Sequence, residues 1–319
     1  MQNNMVDEII NTDKENLLED TTFIVDIDDK NTRIDKYLSD ELADVSRSRI
    51  QKLLDEGMIT VNNNKVKSNY KVAADDIINV HIPELVVPEI VPEDISLDIV
   101  YEDDDIIVIN KPKGMVVHPA AGHYSGTLVN ALMYHCRDNL SGINGVLRPG
   151  IVHRIDMNTT GVIVACKNDY AHNFIAQQLS VHSITRKYYA IVHNQFNNTE
   201  GVVDAPIGRN PSDRKKMAVD KKNGKRAVTH YRVLEQFGKF SYIECQLETG
   251  RTHQIRVHMA HIGHPIIGDE LYGFVDENLI KRQALHAYSL KFRQPRTKEL
   301  LEFKADIPED MKMLIQKLK

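Results

Sequence analysis

The sequence has few of the features that mark secreted, membrane or disulfide-stabilised proteins. Its 319 residues include only three cysteines, Cys136, Cys166 and Cys245, and none belongs to a CxxC pair. An odd number of widely spaced cysteines is typical of thiols that stay reduced. No apolar run approaches the roughly 18 residues of a membrane-spanning helix, and the acidic N-terminus does not resemble a signal peptide. We therefore expect a cytoplasmic protein that does not bind membranes.

Motifs for common cofactors are also absent. The sequence contains neither GxGxxG nor GxxxxGK[ST], so we expect no nucleotide cofactor. A group of histidines suggests zinc as an alternative: His253, His258, His261 and His264. Their spacing lacks the i, i+4 pair of HExxH, and no acidic residue or cysteine adjoins them. We expect no metal and no other cofactor.

Positive charge is concentrated in the C-terminal two-thirds of the chain. The net charge of −5 combines −7 in residues 1–32 and −9 in residues 84–105 with +11 in residues 106–319. Within the basic part, residues 206–232 hold nine basic and two acidic side chains. That density suits a polyanionic partner, whereas a solvated loop is the ordinary alternative. The net charge therefore does not exclude nucleic acid.

The hydrophobic pattern divides the chain into four segments. Residues 1–22 are polar without sustained periodicity, which predicts a disordered acidic tail. Residues 23–83 combine two short helical patterns with strand patterns, which predicts a small α/β domain. Prolines and exclusively acidic charges predict an extended linker at residues 84–97. Residues 98–319 form the remaining, larger domain.

Short β-rich runs dominate the larger domain. The runs 228–234 and 240–247 are separated by a few residues that include Gly238, which is typical of a hairpin. Met115 to Val117 also has the composition of a strand. Helical patterns intervene at four places along residues 98–319. We therefore predict an α+β fold, with a mixed, largely antiparallel sheet and flanking helices.

Two polar segments interrupt this β-rich pattern. Residues 149–161 form a polar loop before an apolar strand and contain Asp156. Such loops concentrate functional residues, although a single aspartate often only caps a turn. Residues 247–258 end a strand and enter a helix, where His253 and Arg256 can share one face. Both segments are candidates for the site.

The stretch HRIDMNTTG, which contains Asp156, resembles the HRLDxxTSG signature of the RluA family of pseudouridine synthases. The segments INKPKGMVVHP, SGTLVNALMYH, RKYYAIV, TGRTHQIRVHMAHIGHPIIGD and ALHAYSLKF also resemble family segments and occur in family order. Residues 33–83 are similar to the small RNA-binding domain named after ribosomal protein S4. The combination is most similar to the RluD-like branch of the family, which modifies large-subunit ribosomal RNA.

The resemblance implies an isomerase that converts uridine to pseudouridine in large-subunit (23S) ribosomal RNA or its assembly precursor. It implies that Asp156 is catalytic and that Arg251 pairs with its carboxylate. Tyr188 would stack on the flipped uracil, although an ordinary sheet aromatic is the alternative. Arg154 would help to displace the target base, and Leu285 would line the pocket. We expect the enzyme to act as a monomer.

Further basic residues are candidates for RNA contact. They are Arg47, Arg49 and Lys52 in the small domain and Arg214, Lys215 and Lys216 in the basic stretch. The first three lie at the start of a predicted helix, whose free N–H groups also attract phosphate. A solvated helix face is the alternative. A non-catalytic RNA-binding factor with the same fold is the rival function. An altered Asp156, Tyr188 or Arg251 would favour it, and all three are intact.

Overall fold

The computed structural model describes residues 17–42, 45–83, 90–119, 123–137, 139–143, 148–213, 215–274 and 279–319. The chain forms two units, one that ends at Val87 and one that begins at Pro88. The predicted α+β fold with largely antiparallel sheets is confirmed. None of the helices in these residues is long and apolar enough to cross a membrane.

The N-terminal unit packs two helices against a four-stranded antiparallel sheet. Its elements are β1 (Leu17–Ile24), a short 3-10 helix (Ile27–Asp29), α1 (Ile34–Glu41), α2 (Arg47–Glu56), β2 (Ile59–Val61), β3 (Asn64–Lys65) and β4 (Ile77–Pro83), with the strand order β1-β4-β2-β3. Ser46 Oγ accepts a hydrogen bond from Arg49 N at the start of α2, and Gly57 ends it with φ of 77°. Apolar side chains of both helices form the unit's own core.

The first strand contradicts part of the predicted tail. We expected disorder as far as residue 22, but β1 begins at Leu17 and pairs with β4, where Thr22 lies opposite Asn79. The hydrogen bonds of this strand come from a segment far along the chain, so local periodicity does not reveal them. Residues 1–16 lie outside the described residues.

The C-terminal unit is built on a nine-stranded sheet. Its elements are β5 (Ile99–Glu102), β6 (Ile106–Lys111), α3 (Leu128–Cys136), β7 (Thr160–Cys166), α4 (Asp169–Ser180), β8 (Thr185–His193), β9 (Glu200–Asp204), β10 (Ile207–Arg209), β11 (Met217–Val219), β12 (Val228–Phe237), β13 (Phe240–Leu247), α5 (Gln254–His261), β14 (Leu285–Arg293), β15 (Leu300–Lys304) and α6 (Glu309–Leu318). The order is β5-β6-β7-β14-β8-β13-β12-β9, with β15 paired to β14, and β10 and β11 form a separate pair.

The central strands of this sheet are buried and set the position of the functional loops. Every residue of β7 is buried. β7 and β14 run parallel, with Thr160 of the first near His286 of the second. Because parallel strands begin at the same edge of a sheet, the polar loop before β7 and the start of β14 lie side by side.

The predicted hairpin is confirmed as β12 and β13. Phe237 pairs with Phe240, and Gly238 adopts a φ of 54° in the turn between them. Glycine accepts this conformation without the steric penalty of a side chain, which suits a tight two-residue turn.

The segment Met115 to Val117 is not a strand, which corrects the sequence expectation. Its Val116 carbonyl instead accepts a hydrogen bond from Leu128 N at 2.9 Å, and Val117 accepts one from the next residue of α3 at 3.1 Å. Helix amides of the first turn lack partners within the helix, and this apolar segment satisfies them.

Residues 90–97, which were expected to be linker, pack against the C-terminal unit. Ile90 is buried in its core, and both carboxylate oxygens of Glu93 accept hydrogen bonds from Gly126 N, at 3.0 and 3.1 Å. Residues 84–89 lie outside the described residues. The prolines exclude a helix, but they do not keep the segment free of tertiary contacts.

Candidate active site

An open cleft of about 840 Å³ lies in the C-terminal unit. The loop before β7, the start of β8, the end of β13, the N-terminus of α5 and the start of β14 form its walls. Five of the residues predicted from the sequence line it together: Asp156, Arg154, Tyr188, Arg251 and Leu285. The fold therefore gathers residues that are far apart in the chain.

Asp156 is the only acidic side chain among the described residues that line the cleft. It lies in a turn that Thr159 N closes by donating to the Asp156 carbonyl at 3.0 Å. The carboxylate is 18% exposed, and its Oδ2 accepts a hydrogen bond from Arg256 Nη1 at 2.9 Å. Its Oδ1 lies 3.9 Å from His253 Nε2. The carboxylate is thus oriented but still open to the cleft.

The arginine that pairs with Asp156 differs from the prediction, which named Arg251. Arg251 Nε donates instead to the Arg226 carbonyl at 3.0 Å. Arg251 precedes α5, whereas Arg256 lies within it and shares a face with His253, so both of these side chains reach Asp156. The i, i+3 spacing of His253 and Arg256 was the sequence signal for the correct partner.

A second, fully buried carboxylate holds Arg256 in place. Arg256 Nε and Nη2 donate to the two oxygens of Asp269 at 2.7 and 2.8 Å. Its guanidinium also lies 5.1 Å from the centre of the Tyr272 ring. Burial alone would lower the pKa of Arg256, but the hydrogen bonds to Asp269 and the charge of Asp156 raise it above its ordinary value. Arg256 is therefore a fixed cation between two carboxylates.

Tyr272 connects His253 to the backbone of Met217. Tyr272 Oη accepts from Met217 N at 2.7 Å and lies 2.8 Å from His253 Nδ1, to which it can donate its own hydrogen. When Tyr272 donates, the proton of the neutral imidazole is on Nε2, the atom that faces Asp156. Burial lowers the pKa of His253, so the ring is neutral at neutral pH. The sequence had marked His253 but assigned it no role beyond the zinc alternative.

A buried lysine supports the turn that carries Asp156. Lys111 is fully buried, and its Nζ donates to the carbonyls of Pro112, Met115 and Met157 at 2.7, 2.9 and 2.9 Å. Burial lowers the pKa of Lys111 to about 7, although the charge of Asp156 acts in the opposite direction. Lys111 was not identified from the sequence, where its signal is a charged residue at the end of an apolar strand.

The remaining residues predicted for the cleft differ in exposure. Tyr188 and Leu285 are 8% and 4% exposed and form part of the apolar wall. Burial raises the pKa of Tyr188, which keeps its hydroxyl protonated. Arg154 is exposed, and it forms no ion pair with any residue that the structure describes.

Basic residues of the N-terminal unit have individual partners. Arg47 donates through Nε and Nη2 to Asp35 at 3.1 and 3.0 Å, and Arg33 pairs with the same carboxylate at 3.0 Å. Lys52 lies 3.4 Å from Glu56 on an exposed face, and Arg49 is half-buried. The ion pair between Arg33 and Asp35 was not predicted from the sequence.

The basic stretch 206–232 contains β10, β11 and the start of β12. Lys215 is exposed and Lys216 half-buried, in the turn between β10 and β11. Arg214 lies outside the described residues. The two lysines are therefore not part of the cleft wall, and their predicted contact with RNA stays a prediction.

Histidines considered for zinc are engaged in other contacts. The two ring nitrogens of His258 lie 2.9 Å from Thr229 Oγ1 and 2.8 Å from the Ala205 carbonyl. His264 stacks on Phe196 with 3.6 Å between ring centres. Among the described residues, no three His, Cys, Asp or Glu side chains are arranged to hold a metal ion.

Comparisons with known proteins give consistent similarities for both units. Residues 105–261 match the family model of RNA pseudouridylate synthase, and residues 32–78 match that of the S4 domain. The chain is 52% identical to "Uncharacterized RNA pseudouridine synthase YlyB" of Bacillus subtilis (strain 168), over 91% of this chain and 95% of the relative. It is 46% identical to "Ribosomal large subunit pseudouridine synthase D" of Zymomonas mobilis, over 90% and 93%. The solved structure of "Human RNA Pseudouridylate Synthase Domain Containing 4" is similar with a TM-score of 0.54 and 27% identity, over 69% of this chain and 92% of that one.

Proposed function

The chain belongs to the RNA pseudouridine synthases, which isomerise uridine in RNA, and we propose that Asp156 carries this reaction on uridines of large-subunit ribosomal RNA. One observation supports the catalytic assignment above all. Asp156 is the sole acidic side chain among the described residues lining the cleft, and Arg256 and His253 face its two oxygens.

The reaction needs no oxidant and no donated group. The N1–C1′ bond of uridine breaks, the uracil turns, and a C5–C1′ bond forms, while C5 loses a proton and N1 gains one. A carboxylate suits glycosidic chemistry, either as a nucleophile or as a base beside the anomeric carbon. Because the detached uracil stays bound, a single oriented carboxylate is sufficient to start the reaction.

Neighbouring residues have distinct parts in this proposal. Arg256 fixes the direction of the Asp156 carboxylate through a planar fork that also binds Asp269. Tyr188 offers a face on which the flipped uracil stacks, a contact of about 1 to 3 kcal/mol. Leu285 adds an apolar surface beside it. Arg251, on the cleft wall, is available to the RNA because it does not hold the carboxylate.

Base flipping makes the target uridine accessible. A stacked base cannot reach a carboxylate inside a cleft, so the enzyme extrudes it. Arg154 is exposed beside Asp156 and has no ion-pair partner among the described residues. It therefore fits the part of a side chain that fills the vacated space or binds the phosphate there.

The choice of ribosomal RNA rests on the relatives and on the N-terminal unit. Relatives over most of this chain's length carry the name ribosomal large subunit pseudouridine synthase D. The S4 domain is an RNA-binding module, so we assign residues 23–83 to RNA affinity and target choice, and residues 98–319 to catalysis. Arg47, Arg49 and Lys52 are the contact residues that we propose in the first.

The test is to map pseudouridine in 23S ribosomal RNA from cells that contain the wild-type protein, Asp156→Asn or no protein. We expect specific uridines to be modified with the wild type and to remain unmodified with Asp156→Asn. Asp306→Asn is the matched control, because Asp306 is an exposed carboxylate outside the cleft. Modification of the same uridines by Asp156→Asn would contradict the catalytic assignment. If the wild type modifies uridines only in another RNA, the ribosomal assignment is wrong and the catalytic one stands.

A further inference from the structure

Arg186 is a buried cation inside the cleft that contains Asp156, and the proposed reaction assigns it no part. It lies on β8 two residues before Tyr188, so both side chains point to the same face of the sheet. Its exposed fraction is only 7%, and it lines the cleft with Asp156. Lysine and arginine are almost never buried to this extent unless they are paired.

Arg186 has no carboxylate partner among the described residues. Within the part of the chain that the structure describes, no acidic oxygen lies within 4 Å of its guanidinium, and its buried Nε has no hydrogen-bond partner. One nitrogen, Nη2, donates to the Glu248 carbonyl at 3.1 Å. Arg256, in the same cleft, pairs with two carboxylates. Neighbouring carboxylates therefore neutralise the charge of Arg256, whereas no described carboxylate neutralises that of Arg186.

The neighbouring His153 does not neutralise the charge of Arg186. His153 Nε2 accepts a hydrogen bond from Val164 N, and burial together with the nearby Arg186 charge lowers the pKa of His153 to about 3. Burial also lowers the pKa of Arg186, but a guanidinium stays protonated in proteins. The cleft thus contains a desolvated positive charge beside a neutral imidazole.

The backbone makes room for this guanidinium. A Cβ at Gly250 would lie 2.5 Å from Arg186 Nη1, so a side chain at this position would displace the end of Arg186 from its observed place. Burying an unpaired charge costs free energy. The buried position of Arg186 therefore cannot be explained by a contribution to the stability of the fold. Because the fold holds this unpaired cation in a defined place, the compensating negative charge is expected from a bound ligand.

We propose that Arg186 binds a phosphodiester group of the RNA strand, beside the uridine whose base stacks on Tyr188. This inference rests on the proposed function, since it takes RNA as the substrate. Two residues along a strand are separated by about 6.6 Å, so the base and its backbone can be held by neighbouring side chains of β8. The planar guanidinium group matches the spacing of two phosphate oxygens. In Arg186, the Nε–H group has no partner among the described residues and is available to bind one of these oxygens.

The salt dependence of binding distinguishes a phosphate contact from a contact with a base. The probe is a 23S RNA stem-loop that the wild type modifies, and binding is measured in the Asp156→Asn background to prevent turnover. In Arg186→Met we expect affinity to fall roughly ten- to hundredfold. We expect the slope of log Kd against log salt concentration to decrease by about 0.7 to 1. Arg186→Lys should keep the slope, because it keeps the charge, while affinity falls.

Lys187→Met is the matched control. Lys187 follows Arg186 on the same strand but points to the other face, where its Nζ lies 3.2 Å from Glu244. We expect its salt slope to equal that of the parent protein. Arg186→Met should unfold at a temperature no lower than that of the parent protein, since the variant loses a buried unpaired charge and no ion pair. A reduced affinity then cannot be attributed to misfolding.

A neutral methylphosphonate placed at one linkage at a time identifies the phosphate. At one linkage next to the target uridine, the methylphosphonate should weaken binding to the protein that retains Arg186. It should not weaken binding to Arg186→Met any further. The phosphate contact would be overturned if Arg186→Met had the same salt slope as the parent protein. It would also be overturned if the effects of the methylphosphonate and of Arg186→Met on binding were additive at every linkage. Either result would favour a base contact or a structural role. The proposed function fails separately, if the wild type forms no pseudouridine in the stem-loop.

Discussion

Arginines of the two units have contrasting environments. In the N-terminal unit, Arg33 and Arg47 share the carboxylate of Asp35, which is fully buried, while their own side chains are 45% and 48% exposed. In the cleft of the C-terminal unit, Arg186 is buried and has no carboxylate partner among the described residues. The buried group is an anion in the first case and a cation in the second.

This difference separates structural charge from charge kept for a ligand. Hydrogen bonds from Arg33, then from Gln51 and Arg47, hold the pKa of Asp35 far below its ordinary value despite burial. The buried anion is therefore satisfied within the protein, and two half-exposed guanidinium groups are held near each other. In the cleft, the buried cation lacks this satisfaction, so we expect its partner to be the RNA. Arg256 lies between two carboxylates, so its charge is structural, like that of Asp35.

The largest expected effect comes from removing the arginine that is fully paired. Arg256→Gln leaves the buried Asp269 without its cation, and loss of one partner of a buried pair costs about 3 to 5 kcal/mol in unfolding free energy. Pseudouridine formation should also be lost, because Asp156 loses its orienting donor. Chemical denaturation and pseudouridine mapping provide the measurements. Equal stability of Arg256→Gln and Arg186→Met would remove the contrast between paired and unpaired arginines.

An intermediate effect is expected in the N-terminal unit. Asp35→Asn removes the buried charge that both arginines bind, and the unfolding free energy should fall by about 1 to 3 kcal/mol. Because the pKa of Asp35 is depressed, its contribution is complete above the unfolded value of about 3.9 and declines as the pH falls towards the folded value. Hydrogen exchange of α1 and α2 at pH 7 and pH 3 measures both effects.

Asp40→Asn is the control for this change, since Asp40 is an exposed carboxylate on the same helix. It should leave the protection of α1 unaltered at both pH values. An Asp35→Asn protein with protection equal to that of the wild type would show that the shared carboxylate does not stabilise the unit.

The last effect is a dependence of stability on pH, and it concerns Lys111, a buried lysine whose Nζ lies at hydrogen-bond distance from three carbonyls. Its pKa of about 7 lies below the unfolded value of about 10.4, so the unfolded chain binds the extra proton between these values. Stability should therefore rise with pH through this window, by at most about 1.4 kcal/mol per pH unit. Denaturation curves from pH 6.5 to 10 should show this rise in the wild type and a reduced rise in Lys111→Met.

Lys113→Met provides the comparison for Lys111, because Lys113 is an exposed lysine two residues away that pairs with Asp310. Its profile should retain the rise. If Lys111→Met retains it as well, the pH dependence originates elsewhere and Lys111 is not the titrating group.

Much of the fold could be predicted because its signals are local. The β12–β13 hairpin follows from two apolar runs around Gly238, and α5 follows from a helical pattern after a glycine turn. Strand β1 was missed because its pairing with β4 is distant in sequence. Met115 to Val117 was assigned wrongly because composition does not show that its carbonyls bind the first turn of α3.

The types of residue at the site and their order along the chain could be predicted from the amino-acid sequence. It marked Asp156, Tyr188, Arg154 and Leu285, and the structure lines one cleft with them. Packing between distant elements determines that Arg256 and not Arg251 holds Asp156. It also buries Arg186 where no carboxylate of the described residues lies beside it. The physical reason is that periodicity reports on neighbours within one element, whereas the environment of a charge depends on which distant elements pack around it.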